Sequence, residues 1–217
     1  MQTNKEMIDY LEQVQRAVPK EVFNAMRVVD RREFLPEGLR EEAYQYTEAI
    51  PIGYGQTCSA PDVVSDMCGT LGLKRGQKVL EVGSGCFYHG SVTAEIIYPG
   101  RLISLEIVPE LAKMAKNNLS KAKKMFKRKW NAEIINGDGS EGFRRESPYD
   151  RIYFTAGIPT NYPMEVLSDQ LVEGGRFLLA PQWGSFILGK KKDGKTTFEE
   201  TSEFACFVHL QGKHGDK

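Results

Sequence analysis

The sequence lacks the features of a metal-bound or disulfide-stapled protein. Its four cysteines, Cys58, Cys68, Cys86 and Cys206, form no C-x-x-C pair, and no histidine stands at zinc-ligand spacing from them. A disulfide framework and a structural zinc site are therefore not expected. A chain of 217 residues that is 41% hydrophobic can bury a core large enough to fold without either.

Long apolar runs and an excess of one charge are also absent. The first residues, Met1–Glu6, contain no apolar stretch typical of a signal peptide, and no run approaches the roughly 20 residues of a membrane-spanning helix. We therefore expect a cytoplasmic protein that does not engage a membrane. Because 29 basic residues balance 29 acidic ones, the net charge does not indicate nucleic-acid binding. The sequence does not fix the oligomeric state, and a monomer is the default expectation.

One segment is locally basic: eight Lys and Arg residues and no acidic residue lie between Lys113 and Lys129. The favoured interpretation is the solvated face of a helix, because Leu111, Ala115 and Leu119 form an apolar stripe at helical spacing. A site for an acidic partner or RNA is the alternative.

The chain opens with two helical patterns, Met7–Val14 and Val22–Val29, separated by Pro19. The stretch from Ala43 to Ala60 has no clear periodicity and is rich in turn-forming residues. Segments of this kind often carry functional residues, because they can reach into a cleft from a rigid scaffold.

From Lys78 onwards, short β-branched runs alternate with helical segments, which indicates right-handed crossovers and a mostly parallel sheet. We predict a doubly wound α/β domain of the Rossmann-like type, with an N-terminal helical extension and an antiparallel strand pair at the C-terminus, closed by a turn at Asp193-Gly194. Residues 1–217 form one domain, in which residues 1–60 supply the helices and an active-site loop and residues 61–217 supply the core. The predicted strands are Val79–Val82, Leu102–Leu105, Ala132–Ile135, Arg151–Phe154, Phe177–Ala180, Phe186–Leu188 and Phe204–Leu210.

Polar and glycine residues follow the first three strands, where such sheets bind ligands. The turn Gly83-Ser84-Gly85 follows the first strand, and glycine lets the backbone approach a ligand closely. Glu106 ends the second strand, where a carboxylate can accept hydrogen bonds from ribose hydroxyls. The segment Gly137-Asp138-Gly139 follows the third strand and adds a carboxylate with room for an adenine ring.

Two candidates share this pattern, a dinucleotide and S-adenosylmethionine. In a dinucleotide site a third glycine packs the helix against the pyrophosphate, but Tyr88 occupies that place here. A carboxylate at Glu81, just before the turn, would repel a pyrophosphate and would suit a cationic cofactor. The sequence therefore favours S-adenosylmethionine.

Seven segments, in order across nearly the whole chain, resemble the protein-L-isoaspartate (D-aspartate) O-methyltransferase family. One of them is Pro51–Pro61, whose part Gly55–Pro61, with the sequence GQTCSAP, is the most family-specific. The other matching segments are Ala43-Tyr44, Glu81–Gly85, Glu106–Leu111, Gly137–Gly139, Tyr149-Asp150 and Gly174–Arg176.

The resemblance implies methyl transfer from S-adenosylmethionine to the free α-carboxylate of isoaspartyl residues in damaged proteins or peptides, leaving S-adenosylhomocysteine. The ester collapses to a succinimide, and its hydrolysis restores some normal aspartate. By the same resemblance Ser59 is the catalytic residue, and Gln56, Thr57 and Ser59 bind substrate. The implied cofactor-binding residues are Cys58, Ser59, Ala60, Pro61, Glu81, Gly83, Ser84, Gly85, Cys86, Glu106, Ile107, Asp138 and Gly139.

Ser59 has two interpretations that can both hold. A hydroxyl donor can orient the acceptor carboxylate, which is already ionised at neutral pH and needs no general base. Ser59 also precedes Pro61-Asp62-Val63, so it can cap the following helix.

Three segments depart from the family pattern. Tyr46 stands where an acidic residue is usual, Cys86-Phe87 replaces small residues and a glycine, and Thr155–Pro163 replaces a run of small residues. The bulk of Phe87 requires either a changed backbone path or a reshaped pocket. A paralogue with a different protein or small-molecule acceptor is therefore one alternative, and a non-catalytic binding module that uses the basic helix is another.

Two cysteines and the three histidines are expected to have structural rather than catalytic roles. Cys58 and Cys86 are expected to be buried small hydrophobes, with thiol chemistry as the alternative. His89, His209 and His214 are isolated in the sequence, and we interpret each as structural or surface-exposed.

Overall fold

The computed structural model describes residues 1–216 and contains nine strands, six α-helices and three short 3₁₀ helices in that range. The helices are α1 (Asn4–Val14), α2 (Lys20–Val28), α3 (Pro61–Leu71), α4 (Tyr88–Ile97), α5 (Pro109–Met125) and α6 (Glu165–Ser168). The strands are β1 (Ile50–Gly53), β2 (Gln56–Cys58), β3 (Lys78–Val82), β4 (Arg101–Glu106), β5 (Asn131–Asn136), β6 (Tyr149–Ile158), β7 (Leu171–Pro181), β8 (Trp183–Lys192) and β9 (Lys195–Cys206). No helix within residues 1–216 combines the length and apolarity needed to cross a bilayer.

The main sheet has seven strands in the order β5-β4-β3-β6-β7-β8-β9. Strands β3 to β7 pair in parallel, whereas β8 and β9 pair antiparallel at one end. The chain moves outward from β3 to β5 and then returns to the other side of β3 with β6. This reversal confirms the predicted doubly wound sheet and places a crevice at the carboxyl ends of β3 and β6.

The two faces of the sheet are covered differently. Val79, Leu102 and Leu178 point towards a core that includes the buried residues of α1 to α5. Their neighbours in the strands, such as Leu80 and Ile103, pack in a second core, where α6 is the one α-helix and irregular segments supply the rest. The β–α alternation therefore weakens after β5, and long loops leave room at the edge of the sheet.

The prediction for the last strand was wrong in its bounds. The turn at Asp193-Gly194 is confirmed, because Lys192 pairs with Lys195, but β9 begins at Lys195 and ends at Cys206 rather than spanning Phe204–Leu210. The first half of β9 is a solvent-exposed edge strand rich in Thr and Glu, so it lacks the apolar alternation that signals a strand. The chain then leaves the hairpin, and a bridge between His209 and Gly157 brings it beside β6.

The basic segment forms α5 and the turn after it. Leu111, Ala115 and Leu119 are buried on one side of the helix, as the solvated-face interpretation predicted. The lysines of this helix lie outside that buried stripe, so they need no partner to explain their presence.

Candidate functional site

A cavity lies at the carboxyl ends of β3, β4 and β6. Its walls combine the glycine turn after β3, the end of β4 and the β1–β2 hairpin with the C-terminal segment 208–211. Among the sequence-predicted residues, those that line it are Gln56, Thr57, Cys58, Ser59, Gly83, Ser84, Gly85, Cys86, Glu106, Ile107 and Gly139. Ala60, Pro61, Glu81 and Asp138 are not part of the lining.

The turn after β3 depends on glycine at position 83. Gly83 has a φ of +100°, and a Cβ there would lie 2.3 Å from the hydroxyl oxygen of Thr155. That hydroxyl donates a 2.6 Å hydrogen bond to the Gly83 carbonyl oxygen. The turn is thereby fixed to β6, and its backbone faces the cavity.

Glu106 lies at the end of β4 with its carboxylate held by the backbone. Oε2 accepts a hydrogen bond from the Gly85 amide at 2.8 Å, and Oε1 accepts one from the Val108 amide at 3.0 Å. The residue is 5% exposed, but it lines the cavity. Each carboxylate oxygen keeps a second lone pair, so the group can also accept hydrogen bonds from a vicinal diol.

Glu81 lies beneath the turn in a buried hydrogen-bond network. The hydroxyls of Ser104 and Tyr153 donate to its two carboxyl oxygens at 2.5 and 2.7 Å, and Ser84 bonds to Ser104 at 2.6 Å. Burial raises the pKa of Glu81 to about 8, although these hydrogen bonds oppose the shift. The Glu81 carboxyl group is therefore enclosed by protein hydroxyls behind the turn and does not line the cavity.

The thiols of Cys58 and Cys86 lie together in the cavity wall, and both residues are buried. The neighbouring Cys86 thiol and the positive charge of Arg31 lower the pKa of the Cys58 thiol against the opposing effect of burial. The same pairing raises the pKa of Cys86. The thiols are therefore a polar pair as well as small buried side chains.

A functional residue that the sequence analysis missed is Arg31, whose side chain is fully buried below the active-site loop. Its guanidinium donates hydrogen bonds to main-chain oxygens rather than to a carboxylate. These oxygens belong to Ala43 (3.2 Å), Gln45 (3.4 Å), Glu48 (2.8 Å), Cys58 (3.1 Å) and Ser59 (3.0 Å). The contacts tie the loop before α3 to the N-terminal helices, and no motif in the sequence signals them.

Ser59 lines the cavity and does not cap α3. The N-cap position is Ala60, followed by Pro61 in the first turn, and no side chain caps the helix. The capping interpretation of Ser59 is therefore wrong, and its half-buried side chain stands at the cavity wall.

Asp138 is turned towards the C-terminal segment rather than the cavity. Its carboxylate accepts hydrogen bonds from the amides of Ser140 and Lys213, both at 2.8 Å. Partial burial raises its pKa, but these hydrogen bonds together lower it below the ordinary range. The glycines on either side, Gly137 and Gly139, line the cavity instead.

His209 lies at the surface, in agreement with the interpretation from the sequence. Its side chain is 63% exposed, but it also lines the cavity, and Nδ1 lies 2.5 Å from a carboxylate oxygen of Asp216. Gln182 donates a further 2.5 Å hydrogen bond to that carboxylate. His209 and Asp216 are seven positions apart in the chain, so the sequence alone gave little indication that they pair.

The bulk of Phe87 is accommodated by the backbone. Phe87 has a φ of +69°, and its fully buried ring packs over Gly90, where a Cβ would lie 2.4 Å from a ring carbon. The ring is absent from the cavity lining, so Phe87 does not fill the cavity. Tyr46, the other single-residue departure, does not line the cavity either. Its ring packs against the ring of Tyr10 in α1, with centroids 5.0 Å apart.

Comparison with known proteins identifies related sequences over nearly the full chain. A family model described as protein-L-isoaspartate(D-aspartate) O-methyltransferase (PCMT) matches residues 1–215. Protein-L-isoaspartate O-methyltransferase 2 of Archaeoglobus fulgidus is 43% identical over 203 residues, which cover 91% of this chain and 88% of the relative. The protein-L-isoaspartate O-methyltransferase of Methanothrix thermoacetophila is 41% identical over 213 residues, or 95% of each chain.

Solved structures show the same likeness. A protein-L-isoaspartate O-methyltransferase superposes with a TM-score of 0.83 at 25% identity, covering 98% of this chain and 67% of the other. A Plasmodium falciparum structure described as this enzyme, in complex with S-adenosyl-L-homocysteine, has the same TM-score at 24% identity and covers 97% and 99% of the two chains. The second likeness supports the fold alone.

Proposed function

The chain belongs to the protein-L-isoaspartate(D-aspartate) O-methyltransferase family, and on that premise we propose that it methylates the free α-carboxylate of isoaspartyl residues in damaged proteins and peptides, with S-adenosylmethionine as the methyl donor. The observation that carries the proposal is one cavity in which Glu106, the glycine turn and Ser59 all line the wall. Methylation of the isoaspartyl group marks the first step of protein repair.

The residues of the cavity fit such a cofactor. Glu106 presents carboxylate oxygens with free lone pairs, which suit the ribose hydroxyls. Leu105, Ile107 and Val108 supply apolar surface for a base, and Gly137 and Gly139 leave the wall beside them open. The Gly83–Gly85 backbone would hold the amino acid moiety.

The reaction requires the acceptor carboxylate to be oriented towards the methyl group, and it requires no proton transfer. When bound, the cofactor supplies an electrophilic methyl group, which passes to a carboxylate oxygen as its bond to sulfur breaks and S-adenosylhomocysteine is left. An α-carboxylate has a pKa near ~3.5, so at neutral pH the nucleophile is already ionised. Ser59 donates a hydrogen bond that fixes one carboxylate oxygen, and the enclosing walls exclude water from the other.

The direct test compares two peptides that differ at one linkage. Radiolabelled S-adenosylmethionine is incubated with the enzyme and either an isoaspartyl peptide or the same peptide with normal aspartate. We expect base-labile ester to form on the isoaspartyl peptide only. Label on neither peptide, with micromolar cofactor binding by calorimetry, would instead indicate a relative that methylates a different acceptor. No cofactor binding would indicate a non-catalytic module.

Replacing the hydroxyl of Ser59 separates its catalytic role from cofactor binding. Ser59→Ala should lower kcat about ten- to hundredfold, as expected for loss of one orienting donor, with less than a twofold change in the Kd for S-adenosylmethionine. Ser202→Ala, at an exposed serine on β9, is the matched control. Equal losses in kcat and in affinity would contradict the assigned role.

A further inference from the structure

A second depression lies beside the cavity at the same edge of the sheet. It lies between the end of β6, the loop after it and the start of β8. Its walls include Ile158, Pro159, Tyr162, Pro181 and Trp183. We refer to this depression as the flanking groove.

The flanking groove continues the cavity along two structural elements. Thr155 and Ala156 of β6 line the cavity, and Ile158 of the same strand lines the groove. Asp216 lines the groove and bonds to His209, which lines the cavity. The His209–Asp216 pair therefore forms a wall that the cavity and the groove share. A bound polypeptide that leaves the cavity on this side enters the groove.

An exposed pair of aromatic rings stands at the groove. Trp183 is 72% exposed and Phe204 is 56% exposed, and their rings pack edge to face with centroids 5.0 Å apart. The β8–β9 pairing fixes their positions, because Trp183 pairs with Cys206 and Phe204 with Ser185. Large aromatics held at the surface in one arrangement typically bind an apolar partner, since they lose little side-chain entropy when they are covered.

The small number of charged residues in the groove lining indicates what kind of partner can bind there. Asp216 is the only charged residue in the groove lining among residues 1–216, and His209 lies against its carboxylate. Proline, isoleucine, methionine and aromatic side chains supply most of the remaining surface. The groove therefore suits an uncharged, apolar segment and offers no site for an anionic ligand.

We propose that the flanking groove binds the acceptor polypeptide beside its isoaspartyl residue, and that Trp183 and Phe204 contact an apolar side chain of that segment. The inference rests on the proposed function, because a polypeptide whose carboxylate reaches Ser59 has to leave the cavity at its mouth. An extended chain advances about 3.3 Å per residue, so a side chain a few residues from the acceptor reaches the groove. The segment Thr155–Pro163, where the sequence departs from the family pattern, supplies one wall of this site through residues 158–162.

Kinetics with paired peptides test the proposal. Two isoaspartyl peptides of equal length carry either leucine or serine at the positions two to four residues on each side of the acceptor. The wild-type enzyme should show a KM about tenfold lower for the leucine peptide. Trp183→Ala should abolish that difference by raising KM for the leucine peptide, with its kcat within twofold of the wild-type value. Tyr98→Ala removes an exposed aromatic that precedes β4, at the opposite edge of the sheet, and should keep the tenfold preference.

The same variant has a spectroscopic readout. The chain has two tryptophans, of which Trp130 is 2% exposed and Trp183 is 72% exposed. Binding of the leucine peptide with S-adenosylhomocysteine should shift the emission to shorter wavelength, and Trp183→Ala should lose the shift while its circular dichroism stays native.

The experiments can reject the proposed function and the groove assignment independently of each other. If the wild-type enzyme methylates neither isoaspartyl peptide, the proposed function is wrong. If it methylates both peptides with the same KM, or if Trp183→Ala keeps the preference, the groove assignment is overturned. If Trp183→Ala changes the molar mass in light scattering and leaves KM unchanged, the aromatic pair is an interface between copies of this chain, which also overturns the proposal.

Discussion

Replacing Arg31 tests whether one buried guanidinium holds the active-site loop in place. Arg31→Met keeps most of the side-chain length but removes every hydrogen-bond donor. Three of the five bonds are short, those to Glu48, Cys58 and Ser59 at 2.8 to 3.1 Å. Leaving a buried acceptor unsatisfied costs about 1–3 kcal/mol, so these three carbonyls alone imply a loss of about 3–9 kcal/mol.

Two effects reduce this figure. Removing the guanidinium also removes the cost of burying a charge, and water can reach part of the site from the cavity. We therefore expect the free energy of unfolding to fall by about 3–5 kcal/mol in Arg31→Met. Arg31→Lys should lose less, because an ammonium has three donors for the five oxygens.

The assay is urea unfolding followed by circular dichroism, with Arg16→Met, at an exposed arginine of the N-terminal region, as the control. Cofactor affinity is measured in parallel by calorimetry, and it should weaken because Cys58 and Ser59 line the cavity. A loss below about 1 kcal/mol in Arg31→Met would refute the reasoning. In that case the β1–β2 hairpin would hold the loop without help.

Three further predictions follow from the buried and tethered groups. The pKa of Glu81 is raised from 4.5 to about 8 in the folded state, so stability present below pH 4.5 is lost as the pH rises towards 8. Glu81→Gln should flatten this fall in urea midpoints measured across that range. Asp138→Ala should weaken S-adenosylmethionine binding in calorimetry and speed amide exchange in residues 208–214, because it removes the acceptor for the Lys213 amide. Cys58 should react with iodoacetamide faster than an ordinary thiol at neutral pH, and S-adenosylhomocysteine should slow its labelling in mass spectrometry, because Cys58 lines the cavity. Labelling that is unchanged by the product would contradict its place in the wall.

The centre of the parallel sheet was predictable because β3, β4 and β6 each contain a short, apolar run buried on both faces. Val79–Val82, Leu102–Leu105 and Arg151–Phe154 all fall within observed strands, with errors of a residue or more at the ends. The β1–β2 hairpin and the first half of β9 were not predicted. β1 does alternate between buried and exposed residues, but it is only four residues long and contains Pro51, whereas the β9 segment is exposed on both sides and has no apolar alternation.

The residues of the candidate site that could be predicted are those that directly follow a predicted strand. Glu106 and the glycine turn belong to this class, since their position follows from the sheet and their chemistry from the side chain. Arg31 and His209 belong to another class, because tertiary packing brings them to the site. Arg31 donates hydrogen bonds to main-chain oxygens up to 28 residues away. Because every residue has a main-chain carbonyl, no sequence pattern indicates which carbonyls accept these bonds.

The departure from the family pattern at Phe87 is compatible with an intact cavity because Gly90 leaves room for the Phe87 ring in the core. A residue with a side chain at a φ of +69° is strained by about 1 kcal/mol relative to glycine, whereas burying a phenyl ring stabilises a core by several times that amount. The ring can be buried only because Gly90 has no Cβ, which would lie 2.4 Å from a ring carbon and 2.6 Å from the Glu81 carboxyl. Since the ring points into the core, the backbone of the turn keeps its path along the cavity wall. Phe87 therefore alters the packing beneath the site and leaves the lining of the cavity free of its ring.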